Sequence, residues 1–431
     1  MEYAIILPRQ RGIYMINDNL ALEARKYYED RIVLFEDTKD RLSKIIKRIS
    51  ELNETHGHKV IYTTSRIKCI DSYIEKAMVR TKYNEINDIV GFRVICLTED
   101  DVYAFRNYIK NLSSQYRYTI ESEKDYISNP KKSGYRSYHI ILNITVDTVN
   151  GTVVVPAEIQ LRTIFMDIFA RVEHKWSYKP EIKLTPVEKR DLMEFGGQLK
   201  FVEEAFKYSC GENIKTKKEV VIPESSEKKQ YYNVEPFFNA AYNYINGDII
   251  SIINSYHDKD DIVYCSNRIK TIPSICRKLK NKGLEVNSDN IVNKISDVVG
   301  FKIVLTDEEE IYSLVNYIEE SNLFDIIERK DYILEPKDSG YRAYHIKVRK
   351  MIKTSNGFIP IVSEIQFRTV LMDAWSTYED SVYGEEISPE KRQSLVFLSN
   401  NLKILSDRLK QLKVATSKRK EKILKLEKET E

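Results

Sequence analysis

At 431 residues the chain is long enough for two or three domains, and 42% hydrophobic with 31% charged residues is the balance of an ordinary globular protein. A net charge of +3 and a pI near 8.3 give no general argument for a long polyanionic partner. With no run of about 18 apolar residues, no signal-peptide pattern in MEYAIILPRQRG and five cysteines (Cys69, Cys96, Cys210, Cys265, Cys276) forming no CxxC pair, the sequence predicts a cytoplasmic protein with reduced thiols and no membrane helix.

The first predicted element is a charged lead helix over roughly Leu20 to Leu52, inside a helical extension, 1–55. A first domain, 56–210, alternates helical segments with β-rich ones: DIVGFRVICL, GYRSYHIILNITV and GTVVVPAEIQLRT. Next comes a charge-rich linker, 211–229, without a clear period. A second domain, 230–410, repeats the first, and a charged helical tail, 411–431, ends the chain. Each domain is thus expected to be a mixed α/β unit, a sheet flanked by helices.

The repeat is the strongest feature of the sequence. KDYISNPKKSGYRSYH (Lys124 to His139) returns as KDYILEPKDSGYRAYH (Lys330 to His345), with 12 of 16 positions identical. EIQLRTIFMD (Glu158 to Asp167) returns as EIQFRTVLMD (Glu364 to Asp373) at the same offset of 206. Upstream, SRIK matches NRIK and INDIVGFRVI matches ISDVVGFKIV. Downstream, Thr185-Pro186 and Ser388-Pro389 each precede EKR and an amphipathic helix, an N-cap followed by proline at the first helical position.

Strand periodicity singles out the polar residues. In AEIQLRT, Glu158, Gln160 and Arg162 alternate with Ile159 and Leu161, so acid, amide and guanidinium share one face. Tyr135, Ser137 and His139 are expected to share another. Glu158 and Asp88, the latter read as opening the strand DIVGFRV, are strand-borne carboxylates able to meet across a sheet end. A magnesium ion carrying phosphates takes one or two such groups from a protein. Arg66, Lys68, Lys76, Arg93, Lys124, Lys131, Lys132 and Arg162 supply the cations that two nucleotides, with about seven negative charges, require. No GxxxxGK[ST] loop, kinase motif set or GxSxG elbow is present. His56 and His58 form an HxH without an evident third ligand.

As a set, SRIK…S…K (Ser65 to Lys76), DIVGFR, KDYI..PK.SGYRSYH, EIQLRT..MD and A..EH (Ala170 to His174) resemble the synthetase domain of the RelA/SpoT family, especially its small alarmone synthetases. The resemblance implies two tandem nucleotidyltransferase-like domains that move the β,γ-pyrophosphate of ATP to the 3′-hydroxyl of GDP or GTP. It implies Mg²⁺ at Asp88 and Glu158, the latter also as base. Arg66 and Arg93 would sandwich adenine, and Lys68, Ser72 and Lys76 would face the ATP phosphates. Tyr135 would stack on guanine, Lys124, Lys131 and His139 would hold acceptor phosphates, and Asp167 would read guanine N1 and N2. Gln160 and Arg162 would support that site.

The second copy keeps Arg268, Lys270, Asp297, Lys330, Lys337, Tyr341, His345, Glu364, Arg368 and Asp373. Lys302 replaces Arg93, and Thr377-Tyr378 is read opposite Glu173-His174. The expectation is therefore a catalytic first copy and a second that binds guanine nucleotide and regulates. The partners expected are ATP and GDP or GTP, with a homo-oligomer or an internal pseudo-dimer of the two copies. Transfer to a tRNA 3′ end and a purely alarmone-binding regulator are the competing functions.

Overall fold

The computed structural model describes residues 18–80, 82–149, 151–177, 184–210, 222–258, 261–355, 357–382 and 389–430. Two compact units divide at Asp167/Ile168. The first contains α1 (Asp18–Glu29), α2 (Ile32–Thr55), β1 (Val60–Ile67), α3 (Ile70–Arg80), β2 (Val90–Cys96), α4 (Glu99–Asn111), α5 (Ser113–Tyr116), β3 (Tyr118–Asp125), β4 (Tyr138–Thr148) and β5 (Gly151–Thr163). Helix α6 (Ile164–Ser177) runs across the division, and α7 (Pro186–Cys210) groups with the second unit. That unit continues with α8 (Ser225–Tyr232), α9 (Glu235–Ser255), β6 (Ile262–Ile269), α10 (Ile272–Asn281), α11 (Ser288–Lys294), β7 (Val299–Leu305), α12 (Glu308–Glu320), β8 (Asp325–Asp331), β9 (Tyr344–Thr354), β10 (Gly357–Thr369), α13 (Val370–Val382) and α14 (Pro389–Thr430).

The two sheets have one topology. Their strand orders are β1-β2-β5-β4-β3 and β6-β7-β10-β9-β8, and only the β2/β5 and β7/β10 pairs are parallel. This is the mixed sheet flanked by helices that the β-rich segments predict. In β4 and β5 the alternate residues Ile140, Leu142, Ile144, Ala157, Ile159 and Leu161 are buried, and α2 and α4 cover them with Phe35, Leu42, Ile46, Phe105 and Ile109. Burying each such large side chain contributes about 1.5–3 kcal/mol. One face is thereby consumed by the core, which leaves the other for polar chemistry.

Three boundaries differ from the sequence reading. The lead helix is two helices interrupted at Asp30 and Arg31, and α2 belongs to the first core instead of extending from it. Residues 225–229 of the expected linker open α8, with Glu224 and Glu227 forming its capping box; 211–221 lie outside the described residues. Asp88 stands in the turn before β2, two residues ahead of the strand. The cap at Thr185 is present: its Oγ accepts from Glu188 N at 3.2 Å while the Glu188 carboxylate accepts from Thr185 N at 2.7 Å. Ser388 lies outside the described residues. Cys69, Cys96, Cys265 and Cys276 are free thiols, and among the described residues no helix is long and apolar enough to cross a membrane.

Candidate active site

Register assembles the first site. Because β2 and β5 run parallel with Gly91 opposite Glu158, the turn before β2 delivers Asp88 to the same sheet end. Antiparallel β1 places Arg66 opposite Gly91, and Arg93 lies opposite Gln160. A cleft of about 100 Å³ results, lined by Arg66, Asp88, Gly91, Arg93, Glu158 and Gln160 among others. Lys76 at 2.6 Å and Lys68 at 3.2 Å both hold Asp88 Oδ2. Burial pushes the Asp88 carboxyl up, but the two lysines outweigh it and keep it below its ordinary value. Asp88 Oδ1 is buried and has no hydrogen-bond partner among the described residues. A buried, unpartnered, ionised oxygen beside a second carboxylate suits a hard divalent cation, so the donor set fits magnesium. Ser72, in the first turn of α3, accepts from Cys69 Sγ at 3.3 Å near these lysines.

A continuous network links Glu158 to the acceptor side. Its Oε2 accepts from Gln160 at 2.9 Å, and its Oε1 lies 3.0 Å from His139 Nδ1. Burial raises the Glu158 carboxyl, yet His139 and Gln160 together hold it below its ordinary value. His139 Nε2 lies 2.8 Å from the Tyr135 hydroxyl, which accepts from Arg162 Nη2 at 2.7 Å. The ionised Glu158 carboxylate can only accept, so the imidazole carries a proton on Nδ1, and in the neutral ring Nε2 then accepts from the Tyr135 hydroxyl. His139 is thus a bridge with both ring nitrogens engaged.

Arg162 is the buried keystone of that network. Its guanidinium donates to Asp167 Oδ1 at 2.8 Å, Gln160 Oε1 at 2.7 Å, Tyr135 Oη at 2.7 Å and Ser137 Oγ at 3.3 Å. Asp167 is fully buried, and its other oxygen accepts from Tyr62 at 2.8 Å. The sequence expects Asp167 to read guanine; in the structure its Oδ1 accepts from Arg162 and its Oδ2 from Tyr62, behind the pocket residues Tyr135 and Gln160 that Arg162 also holds. Tyr135 is itself 7% exposed, and β4 begins only at Tyr138, so Tyr135 projects from the preceding loop. That loop is closed by Gly134 N to Lys131 O at 2.8 Å, with Gly134 at φ +92, a conformation that only glycine adopts cheaply. Lys131 Nζ consequently sits 4.6 Å above the Tyr135 ring and 4.9 Å above Tyr126, while Lys124 pairs across the sheet with His139. Lys132 is exposed. His58 binds Asp101 at 3.0 Å, and His56 lies 2.9 Å from Leu52 O.

Tyr62 and Tyr126 were not singled out by sequence reasoning. Their signal was available, since Tyr264 and Tyr332 repeat them.

The second site repeats the first with readable changes. Lys270 and Lys278 hold Asp297 at 2.7 and 2.8 Å, and Gln366 donates to Glu364 at 2.5 Å. Arg368 reaches Asp373, Tyr341 and Gln366, and Tyr341 lies 2.8 Å from His345. Lys302 is drawn to Asp373 at 2.8 Å and to the Tyr264 hydroxyl at 3.1 Å. Beside Glu364 in register stands Lys347, ion-paired with Glu328, where the first copy has Ile141 and Ser122. A cavity of about 510 Å³ opens over Asp297, Lys337, Tyr341, Glu364, Glu379 and Asp380 among others. Helices α6 and α13 start at equivalent positions, Ile164 and Val370, which puts Glu379-Asp380 opposite Glu173-His174 and corrects the Thr377-Tyr378 alignment. Burial and the neighbouring Asp380 hold the Glu379 carboxyl above its ordinary value.

Comparison with known proteins gives one consistent result. A sequence profile described as the region found in RelA / SpoT proteins matches residues 65–183 and again 267–386. The chain is similar to GTP pyrophosphokinase YwaC of Bacillus subtilis, 38% identical over 161 residues covering 35% of this chain and 75% of the relative. It is likewise similar to GTP pyrophosphokinase YjbM of the same organism, 32% identical over 160 residues, 36% of this chain and 74% of the relative. Among solved structures, the small alarmone synthetase 1 of B. subtilis bound to its product pppGpp aligns over 44% of this chain and 98% of its own, at 29% identity and a TM-score of 0.40.

Proposed function

This chain belongs to the RelA/SpoT family, and from that premise we propose that its first domain is a GTP diphosphokinase, moving the β,γ-pyrophosphate of ATP to the 3′-hydroxyl of GDP or GTP. One observation carries the reading: parallel β2/β5 pairing brings Asp88 and Glu158 into a cleft with Arg66 and Arg93, with Asp88 Oδ1 lacking a hydrogen-bond partner among the described residues. Asp88 and Glu158 would hold Mg²⁺, which when bound neutralises phosphate charge and aligns the pyrophosphate. Arg66 and Arg93 offer flat guanidinium planes for adenine, and Lys68 and Lys76 are placed to exchange Asp88 for phosphate oxygens.

On the acceptor side, Tyr135 offers a ring for guanine once Lys131 swings to the phosphates, and Lys124 stands beside it. Glu158, ionised at neutral pH, receives the proton of the 3′-hydroxyl. His139 keeps its Nδ1 proton toward Glu158 and so fixes the carboxylate's orientation. Catalysis here rests on positioning and charge, with no covalent intermediate on the protein.

The second domain is read as a guanine-nucleotide site with little turnover. Its tyrosine, lysines and carboxylates remain, which favours binding. Lys302 is committed to Asp373 and offers no stacking plane, and Lys347, opposite Glu364 in register, is ion-paired with Glu328. Labelled ATP incubated with GDP, GTP or bulk tRNA tests the whole reading, with Glu158→Gln and Glu364→Gln side by side. Label in a guanine nucleotide, lost only with Glu158→Gln, is the expected outcome. Label in tRNA, or equal loss from both variants, would overturn the acceptor or the division of roles respectively.

A further inference from the structure

In the second unit, the loop that carries Lys337 and Tyr341 is gripped from behind. Gly340 has φ +86, and its amide donates to Lys337 O at 2.8 Å. Its bare Cα faces α14: a Cβ there would stand 2.8 Å from Ser399 Cβ, and Ser399 Oγ donates to Gly340 O at 2.5 Å. The ring of Tyr341 meets Trp375 of α13 edge-on, with centroids 6.2 Å apart. The Trp375 indole N–H donates to Leu395 O of α14 at 3.0 Å. Thus both the tightest turn of the acceptor loop and its stacking ring rest on α13 and α14.

The same two helices touch α7. One turn beyond Trp375, Tyr378 packs on Phe206 with centroids 4.3 Å apart, and both side chains are buried. Arg408 of α14 pairs with Glu194 of α7 at 2.7 Å. Helix α7 is the element that follows the first repeat in the chain.

We propose that α13 and α14 form a relay, in which nucleotide seated on Tyr341 shifts the Gly340 turn and Trp375, and α7 receives that shift through Tyr378 and Arg408. The inference rests on the second pocket binding a guanine nucleotide. The physical basis is close packing: a contact with no space for a methyl group cannot absorb a moving loop, so displacement passes to the neighbouring helix. A relay of this kind is defined by a coupling free energy, which can be measured.

The test uses the full chain carrying Tyr135→Ala, which disables the first acceptor pocket, with GDP as the probe. GDP should slow amide exchange across residues 186–207 of α7 at least about threefold. Tyr378→Ala should leave GDP affinity within about threefold yet abolish the α7 response. Ser399→Ala, which keeps the Cβ against Gly340, should retain the response, and Ser399→Leu should remove it. If calorimetry shows GDP bound and α7 exchange is unchanged, the relay is wrong while the pocket stands. If GDP fails to bind and Tyr341→Ala changes nothing, the pocket reading falls and the relay with it.

Discussion

Asp167→Asn separates a residue that reads the acceptor base from one that holds the machinery. The carboxylate is fully buried, bonded to Arg162 at 2.8 Å and to the Tyr62 hydroxyl at 2.8 Å. Burial would lower the Arg162 pKa, but the Tyr135 hydroxyl and the Asp167 carboxylate, both bonded to it, outweigh that and hold it raised. Neutralising Asp167 leaves a guanidinium in the interior with only neutral acceptors. Breaking a buried pair this way costs about 3–5 kcal/mol, and since asparagine keeps one acceptor oxygen, about 3 kcal/mol is expected. For a unit of this size that is a fall in Tm of about 6–12 °C, visible by scanning calorimetry. Slackening Arg162 also frees Tyr135, so KM for GTP should rise while KM for ATP stays nearly constant. The comparison of GTP with ITP, which lacks the 2-amino group, decides the matter. A variant that melts within about 1 °C of the parent yet loses at least about tenfold of its preference for GTP would show that Asp167 reads the base.

Glu158→Gln should lower pyrophosphate transfer by at least about 10²-fold without changing Tm by more than a few degrees, because a metal ligand and a proton acceptor are lost together. Retention of most activity in a transfer assay would place the chemistry elsewhere. Tyr135→Ala should weaken the acceptor by about 1–3 kcal/mol, read as a rise in KM for GTP; a rise confined to ATP would put the ring in the wrong half of the site. Burial raises the Glu364 carboxyl, but His345 and Gln366 outweigh it and bring it down from 4.5 to about 2. Burial also holds His345 below its ordinary value, so near neutral pH the imidazole stabilises Glu364 as a neutral group. Because folding depresses the Glu364 pKa, its stabilisation is complete above about pH 4.5 and disappears as pH falls toward 2. Glu364→Gln should flatten acid unfolding of the second unit in that window, and an unchanged acid limb would count against the network.

The fold was legible where a repeat and a period coincide. DIVGFRVICL contains β2, GYRSYHIILNITV covers all but the last two residues of β4 and GTVVVPAEIQLRT is β5, because β-branched and aromatic residues alternate with polar ones there, and the second copy says the same thing again. The break between α1 and α2 was not legible, since the charged stretch around Asp30 keeps a helical apolar spacing through it. In the site, types were readable and directions were not. Asp167 and Tyr135 both belong to repeated motifs, and repetition cannot say whether a carboxylate faces a ligand or seals a guanidinium from behind. Tyr62 escaped notice because its partner is 105 residues away, a distance that only the β1/β2 pairing closes.

Where the two copies differ bears on what each can do. The row through Arg93, Gln160, His139 and Lys124 returns as Lys302, Gln366, His345 and Lys330, with one change. The adjacent row, Arg66, Gly91, Glu158, Ile141 and Ser122, returns as Arg268, Gly300, Glu364, Lys347 and Glu328. The added pair Lys347–Glu328 therefore falls on the row of Glu364, and Lys302 is the change in the neighbouring row. Lys347 Nζ is engaged by Glu328 on the strand away from Glu364, whose own partners remain His345 and Gln366. On the proposed reading, a second site that keeps Lys337, Tyr341 and Glu364 but has Lys302 in place of a guanidinium plane holds a nucleotide better than it transfers pyrophosphate, as a regulatory copy would need.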